Sequence, residues 1–151
     1  MMRERAVTTT GRQPTVIIAD DHGEVHPLLR RILEPELDVV EDVYDGQALL
    51  EAAGRLRPDL IVVDVYMPVL DGIETVKRLK AQSSTVAIVF ISTDGGEENV
   101  RRALQTGALA FVQKATAAEQ LLPAARAALK GQRFVSDSPG SPGPRPVQGA
   151  S

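Results

Sequence analysis

Five short runs of aliphatic and β-branched residues recur along the chain, each followed by a stretch whose apolar positions fall three and four apart. TVIIAD (15–20), LDVVEDV (37–43), DLIVVDV (59–65) and TVAIVFIS (85–92) read as strands, and ALAFVQ (108–113) as a shorter fifth. Several are continuously apolar, the pattern of strands covered on both faces in a parallel sheet. Between them, Val25, Leu28, Leu29, Ile32 and Leu33 form one helical stripe before Pro35, and Ala48, Leu49, Ala52 and Ala53 a second before Pro58. Asp71 and Glu74 have capping-box spacing, with Ile73, Val76 and Leu79 behind them, so a third helix starts there. A fourth runs over roughly 97–106 and stops at Gly107. A fifth opens with the capping-box pair Thr116 and Glu119 and ends near Gly131. Pro123 falls inside it, and an interior proline costs about 3 kcal/mol, which predicts a kink or a late start.

Five such alternations joined by short connections make a single doubly wound α/β sheet. In a sheet of that kind the ligand crevice lies beyond the carboxyl ends of the strands. The ends of the chain lack the pattern. Residues 1–14 are polar and read as a disordered arm, and SDSPGSPGPRPVQGAS (136–151) has the composition of a flexible linker or tail. One domain over 15–135 remains.

Composition changes this picture little. A net charge of −3 over 151 residues gives no electrostatic case for nucleic acid or an anionic membrane, and no DNA binding by this chain is expected. The absence of cysteine excludes disulfides and thiolate metal sites and suits a reducing cytoplasm. No run approaches the length of a membrane span.

The carboxyl edge is where the chemistry gathers. Strand one ends in Asp20 and Asp21, strand three in Asp64, strand four in Ser92 and Thr93, and strand five runs into Lys114. Taken singly, these residues are ordinary helix caps, strand ends and surface lysines. Together they put three acids, a hydroxyl and an ammonium on one rim.

The motifs IIADDH (17–22), DVYMPVLDG (64–72), IS (91–92) and GALAFVQKA (107–115) resemble those of response-regulator receiver domains from Thr15 to about Ser136. The later LLPAARAALKGQRFVS is most similar to receivers of the subfamily with a helix-turn-helix output. The resemblance implies a CheY-like (βα)5 flavodoxin-like fold with strand order 2-1-3-4-5. It implies two-component, phosphorelay signalling, in which Asp64 accepts a phosphoryl group from a histidine kinase or phosphotransfer protein. Mg²⁺ would be held by Asp20, Asp21, Asp64 and the backbone carbonyl of Tyr66. Lys114 and Ser92 would contact phosphoryl oxygens, and Ser92 and Phe111 would form the switch. Tyr66, Thr93 and Asp94 flank the pocket, with the Tyr66 ring expected to screen the acyl phosphate from water and Thr93 to narrow its access. The output protein is unknown, and the face of helix four, strand five and helix five allows a homodimer.

Several rivals are weighed. A haloacid-dehalogenase-type phosphatase needs an acid two residues after its nucleophile, where this chain has Tyr66, so no enzyme is expected. A flavin or nucleotide binder needs a phosphate-cradling loop after strand one, where DDHGEVHP would repel phosphate without a metal. The alternatives that stay open are a pseudo-receiver that docks partners without phosphorylation, and the receiver fragment of a longer DNA-binding regulator.

Overall fold

In the computed structural model, residues 12–82 and 84–136 are described; most of the expected arm and tail (1–11 and 137–151) lies outside the described residues. The strands are β1 (Thr15–Ala19), β2 (Asp38–Val43), β3 (Leu60–Asp64), β4 (Ala87–Ser92), β5 (Ala110–Gln113) and β6 (Phe134–Val135). The helices are α1 (His26–Leu33), α2 (Gly46–Leu56), α3 (Gly72–Ala81), α4 (Glu97–Gln105) and α5 (Ala117–Leu129). The sheet is parallel throughout, in the order β2-β1-β3-β4-β5-β6.

The expected order 2-1-3-4-5 is therefore present but extended by a sixth strand. Phe134 and Val135 pair with Ala110 and Phe111. Ser136, read from composition as the start of the tail, is buried: its N–H donates to the Phe111 carbonyl at 2.9 Å and its Oγ accepts from the Gln113 N–H at 2.9 Å. Two residues carry too little periodicity to announce a strand, and only the open edge of β5 makes them one. At the other end Pro14 is buried, and its carbonyl accepts from the Asp38 N–H at 2.9 Å.

Side chains alternate across the sheet and divide the core in two. Ile17, Ile61, Val63, Ile88, Phe90 and Phe111 pack beneath α2, α3 and α4, and Val16, Ile18, Val62, Val89, Ile91 and Val112 beneath α1 and α5. Because β1, β3, β4 and β5 are buried on both sides, their carboxyl ends are held at fixed spacing. That rigidity is what positions the site.

The helix starts come out differently from one another. Asp71 caps α3 as its spacing predicts, Oδ1 accepting from the Glu74 N–H at 2.8 Å, and Asp45 caps α2 in the same way through Ala48. Thr116 does not cap α5; its hydroxyl donates to the Gln113 carbonyl at 3.3 Å, and a single 3-10 turn, Lys114–Thr116, leads into the helix. Nor does Pro123 delay the start, since α5 runs unbroken over Ala117–Leu129. Burial of Leu121, Ala124, Ala125 and Ala128 against the sheet offsets the hydrogen bond the proline cannot make. In α1, Leu29 and Leu33 are buried while Leu28 is 48% exposed, so the apolar stripe is narrower than the sequence suggests.

Behind β1, a charged group ties α1 to β2. Arg30 Nη2 donates to Asp42 Oδ2 at 2.6 Å, and the buried His26 ring bridges Asp42 Oδ1, at 2.8 Å, and the Asp20 carbonyl, at 2.7 Å. Burial pushes the Asp42 carboxyl upward, but Arg30 and His26 outweigh it and hold the group below the usual carboxylate range. A carboxyl depressed by folding stabilises above its unfolded pKa, and this contribution is lost as pH falls through the folded value. Asp42→Asn should therefore cost about 1–2 kcal/mol at neutral pH, discounted because Arg30 reaches solvent. The difference from wild type should close below about pH 4. Urea unfolding at pH 7 and pH 3 checks this; a gap of equal size at both would count against the ion pair.

Candidate functional site

Four acidic or imidazole side chains meet at the carboxyl edge. Asp20, Asp21, His22 and Asp64 each offer a ligand atom, and these atoms lie within 4.8 Å of one another. Asp20 and Asp64 are buried, whereas Asp21 and His22 face solvent. Just beyond β5, Lys114 places its Nζ 2.8 Å from both Asp20 Oδ2 and Asp64 Oδ2. The remaining Asp64 oxygen, Oδ1, accepts from the Tyr66 N–H at 3.1 Å. His22 Nδ1 lies 3.1 Å from Asp20 and 3.3 Å from Asp21.

The electrostatics follow from this packing. Burial is the strongest influence on Asp64, and the neighbouring Asp20 charge adds to it, so its carboxyl is raised despite Lys114 and the Tyr66 N–H. Burial also pushes Asp20 up, but Lys114 and the His22 backbone outweigh it and the net direction is down. Lys114 is pulled down by burial and raised more by its two carboxylates. Two buried acids sharing one ammonium leave negative charge to be balanced. Asp20 Oδ2 is buried and faces the Lys114 ammonium at 2.8 Å, the same ammonium that Asp64 shares. An oxygen-rich set in which one ammonium faces three carboxylates suits a hard divalent cation.

Ser92 sits beside this cluster rather than in it. It is fully buried, and its Oγ accepts from the Asp94 N–H at 3.0 Å and from Asn99 Nδ2 at 3.3 Å. Thr93 and Asp94 are exposed on the rim, with Asp94 Oδ1 accepting from the Gly96 N–H at 3.0 Å. Tyr66 is half exposed, and its hydroxyl donates to Asn99 Oδ1 at 3.0 Å. Phe111 is wholly buried in the layer shared with Phe90, in the position of a core residue. Between Asp64 and α3 the chain bends sharply: the Leu70 N–H bonds back to the Pro68 carbonyl at 2.7 Å, holding Val69 at a φ of 71°, a strained value for a β-branched residue.

A sequence model of the response regulator receiver domain matches residues 16–126. The chain belongs to the response regulator receiver family. Among curated relatives, the nitrate/nitrite response regulator NarL of Escherichia coli is 32% identical over 126 residues, 82% of this chain and 58% of the relative. The transcriptional regulatory protein DegU of Brevibacillus brevis is 31% identical over 122 residues, 80% of this chain and 52% of the relative. The receiver thus spans little more than half of either. The chemotaxis protein CheY of Halobacterium salinarum is 31% identical, over 66% of this chain and 82% of its own. Among solved structures, the receiver domain of the putative regulator NarL from Mycobacterium tuberculosis superposes with a TM-score of 0.76 at 27% identity, covering 80% of this chain and 98% of that one. The resemblance to receivers of regulators with a helix-turn-helix output holds with these relatives.

The structure brings Asp20, Asp21, Asp64 and Lys114 together and sets Ser92, Tyr66 and Asp94 in a neighbouring hydrogen-bonded group. Sequence reasoning gave no role to His22, though it adjoins the double acid, nor to Asn99. A polar residue on the apolar side of α4, one turn before Ala103, was the available signal. A concavity of about 610 Å³ lies at the opposite edge of the sheet, lined by Arg57, Pro58, Asp59, Gln82 and Thr85 among others. It shares no residue with the acidic cluster. No helix among the described residues is long and apolar enough to cross a membrane.

Proposed function

We propose that this receiver is a phosphorylation-controlled switch whose acceptor is Asp64. The single observation that carries the reading is the Lys114 ammonium held 2.8 Å from both Asp64 and Asp20 at the mouth of an acidic cluster. An Asp64 oxygen forms a bond to phosphorus as the bond from phosphorus to the donor breaks, its electron pair leaving with the donor atom, a histidine nitrogen in a kinase or phosphotransfer protein. Phosphoryl transfer leaves the protein mainly positioning and charge neutralisation to supply. Rigid burial of β3 and the Tyr66 N–H orient the carboxylate, and Lys114 turns to a phosphoryl oxygen. Asp20, Asp21, Asp64 and the Tyr66 carbonyl would hold Mg²⁺. When bound, the ion supplies positive charge against the phosphoryl oxygens.

Ser92 and Phe111 are the proposed switch pair, Ser92 by donating to the phosphoryl group. A hydrogen bond to a charged group contributes about 1.5–3 kcal/mol, whereas moving an equilibrium from 1:99 to 99:1 takes about 5.5 kcal/mol. Ser92 therefore shares the work with Lys114 and the β4–α4 loop. The greater length of NarL and DegU favours a second statement: the receiver is part of a longer DNA-binding regulator, with output carried outside this domain.

Incubation with Mg²⁺ and acetyl phosphate, followed by intact mass measurement, tests the reading. A single phosphate adduct is expected in the wild type and none in Asp64→Ala, with no turnover of a phosphomonoester by either. An adduct that persists in Asp64→Ala would move the acceptor elsewhere. Steady phosphomonoester hydrolysis would make this an enzyme.

A further inference from the structure

The hydroxyl of Ser92 has an unusual hydrogen-bond balance. Both of its partners are donors, the Asp94 N–H and Asn99 Nδ2. A hydroxyl has two lone pairs and one proton to give. With both lone pairs engaged, the proton of this fully buried group has no acceptor among the described residues.

Asn99 arranges this. Its side chain is buried at 4% exposure on α4 and makes three hydrogen bonds to three different segments. Nδ2 donates to Ser92 Oγ and also, at 2.8 Å, to the Asp94 carbonyl. A carbonyl only accepts, and this fixes which end of the amide faces Ser92. Oδ1 accepts from the Tyr66 hydroxyl. One carboxamide therefore joins the loop after β3, the end of β4 and the loop before α4.

We infer that Asn99 is a positioning residue for phosphoryl transfer: by filling a lone pair on Ser92 Oγ, it leaves that hydroxyl only the role of donor toward a phosphoryl oxygen on Asp64. The inference rests on the phosphorylation at Asp64 proposed above. It makes a specific demand on Asn99→Asp, which keeps the shape and the acceptor for Tyr66. That variant replaces the donor facing Ser92 with an acceptor, which captures the serine proton. Asn99→Ala merely removes the donor and should matter less.

The experiment uses the full chain with Mg²⁺ and acetyl phosphate, following initial adduct formation at Asp64 by intact mass. Wild type, Asn99→Asp, Asn99→Ala, Ser92→Ala and the Ser92→Ala/Asn99→Asp pair are compared, with thermal melts to confirm folding. Asn99→Asp should be about tenfold slower than wild type, near the lower end of what a charge-assisted hydrogen bond supplies. In the Ser92→Ala background the same change should do nothing, because its target is gone. A merely structural defect at residue 99 would slow both backgrounds alike, and that result overturns the inference. So does wild-type speed in Asn99→Asp. Should Asn99→Asp fail to fold, the Asn99→Ala and Ser92→Ala cycle decides by the same criterion. A wild type that takes up no phosphate overturns this inference and the proposed phosphorylation at Asp64 together, whereas the other negative results remove this one alone.

Discussion

Gly72→Ala is expected to destabilise the domain by at least about 3 kcal/mol, the upper range for forced overpacking. The first residue of α3 lies directly on the backbone at the end of β3, its N–H bonded to the Val65 carbonyl at 2.8 Å. A Cβ there would stand 2.0 Å from the Asp64 carbonyl oxygen and 3.0 Å from its carbon. Backbone cannot swing aside as a flexible side chain can, so either α3 lifts or β3 shifts. Both displace Asp64. Gly54 supplies the contrast: it is exposed inside α2, and a Cβ added to it meets nothing within 4 Å. Gly54→Ala should stabilise by about 0.5–1 kcal/mol through helix propensity alone. Urea unfolding of the two variants checks the pair, and opposite signs are expected. Equal effects would mean that the close approach of α3 to β3 is not required for the fold.

Lys114→Met should weaken both stability and phosphate uptake. Removing one partner of a buried ion pair costs about 3–5 kcal/mol, and the lower end applies here because Asp21 and His22 open the cluster to solvent. The two buried carboxylates then face each other without a cation, and one is driven to take up a proton. Divalent cation becomes the remaining source of positive charge, so Mg²⁺ should raise the melting temperature of the variant more than that of wild type. Adduct formation with acetyl phosphate should fall about a hundredfold, within the range for a lost charge-assisted contact. Melting curves with and without Mg²⁺, together with adduct rates, make the comparison. A variant that melts like wild type and takes phosphate at the same rate would show that the lysine is a bystander.

What could be read from linear order is now distinguishable from what could not. The runs from Val16 to Ala19 and from Leu60 to Val63 are apolar at every position, and their shortness, their β-branched residues and their alternation with helical stretches mark them as strands covered on both faces, so the sheet was legible. Once the sheet is parallel, all its strands end at one edge, and the acids and the lysine at those ends were bound to meet. Asp71 as a cap was equally legible, because a cap involves residues only three apart. Thr116 offered the same spacing and was misread, since its hydroxyl found the Gln113 carbonyl instead.

The remainder depends on partners far apart in the chain. Whether Leu28 is covered, whether Phe134 and Val135 become a sixth strand and how α5 tolerates Pro123 are decided by the neighbouring surface, not by local pattern. The hydrogen-bond directions around Ser92 belong to the same class: they require Tyr66, Asp94 and Asn99 to converge from three segments. Sequence by itself determined at which edge of this protein the acids and the lysine gather, because periodicity is a local property of the chain. Only the tertiary structure decided how their charges are shared and which group holds the serine, because hydrogen bonds and ion pairs act over a few ångströms, and that proximity comes from packing.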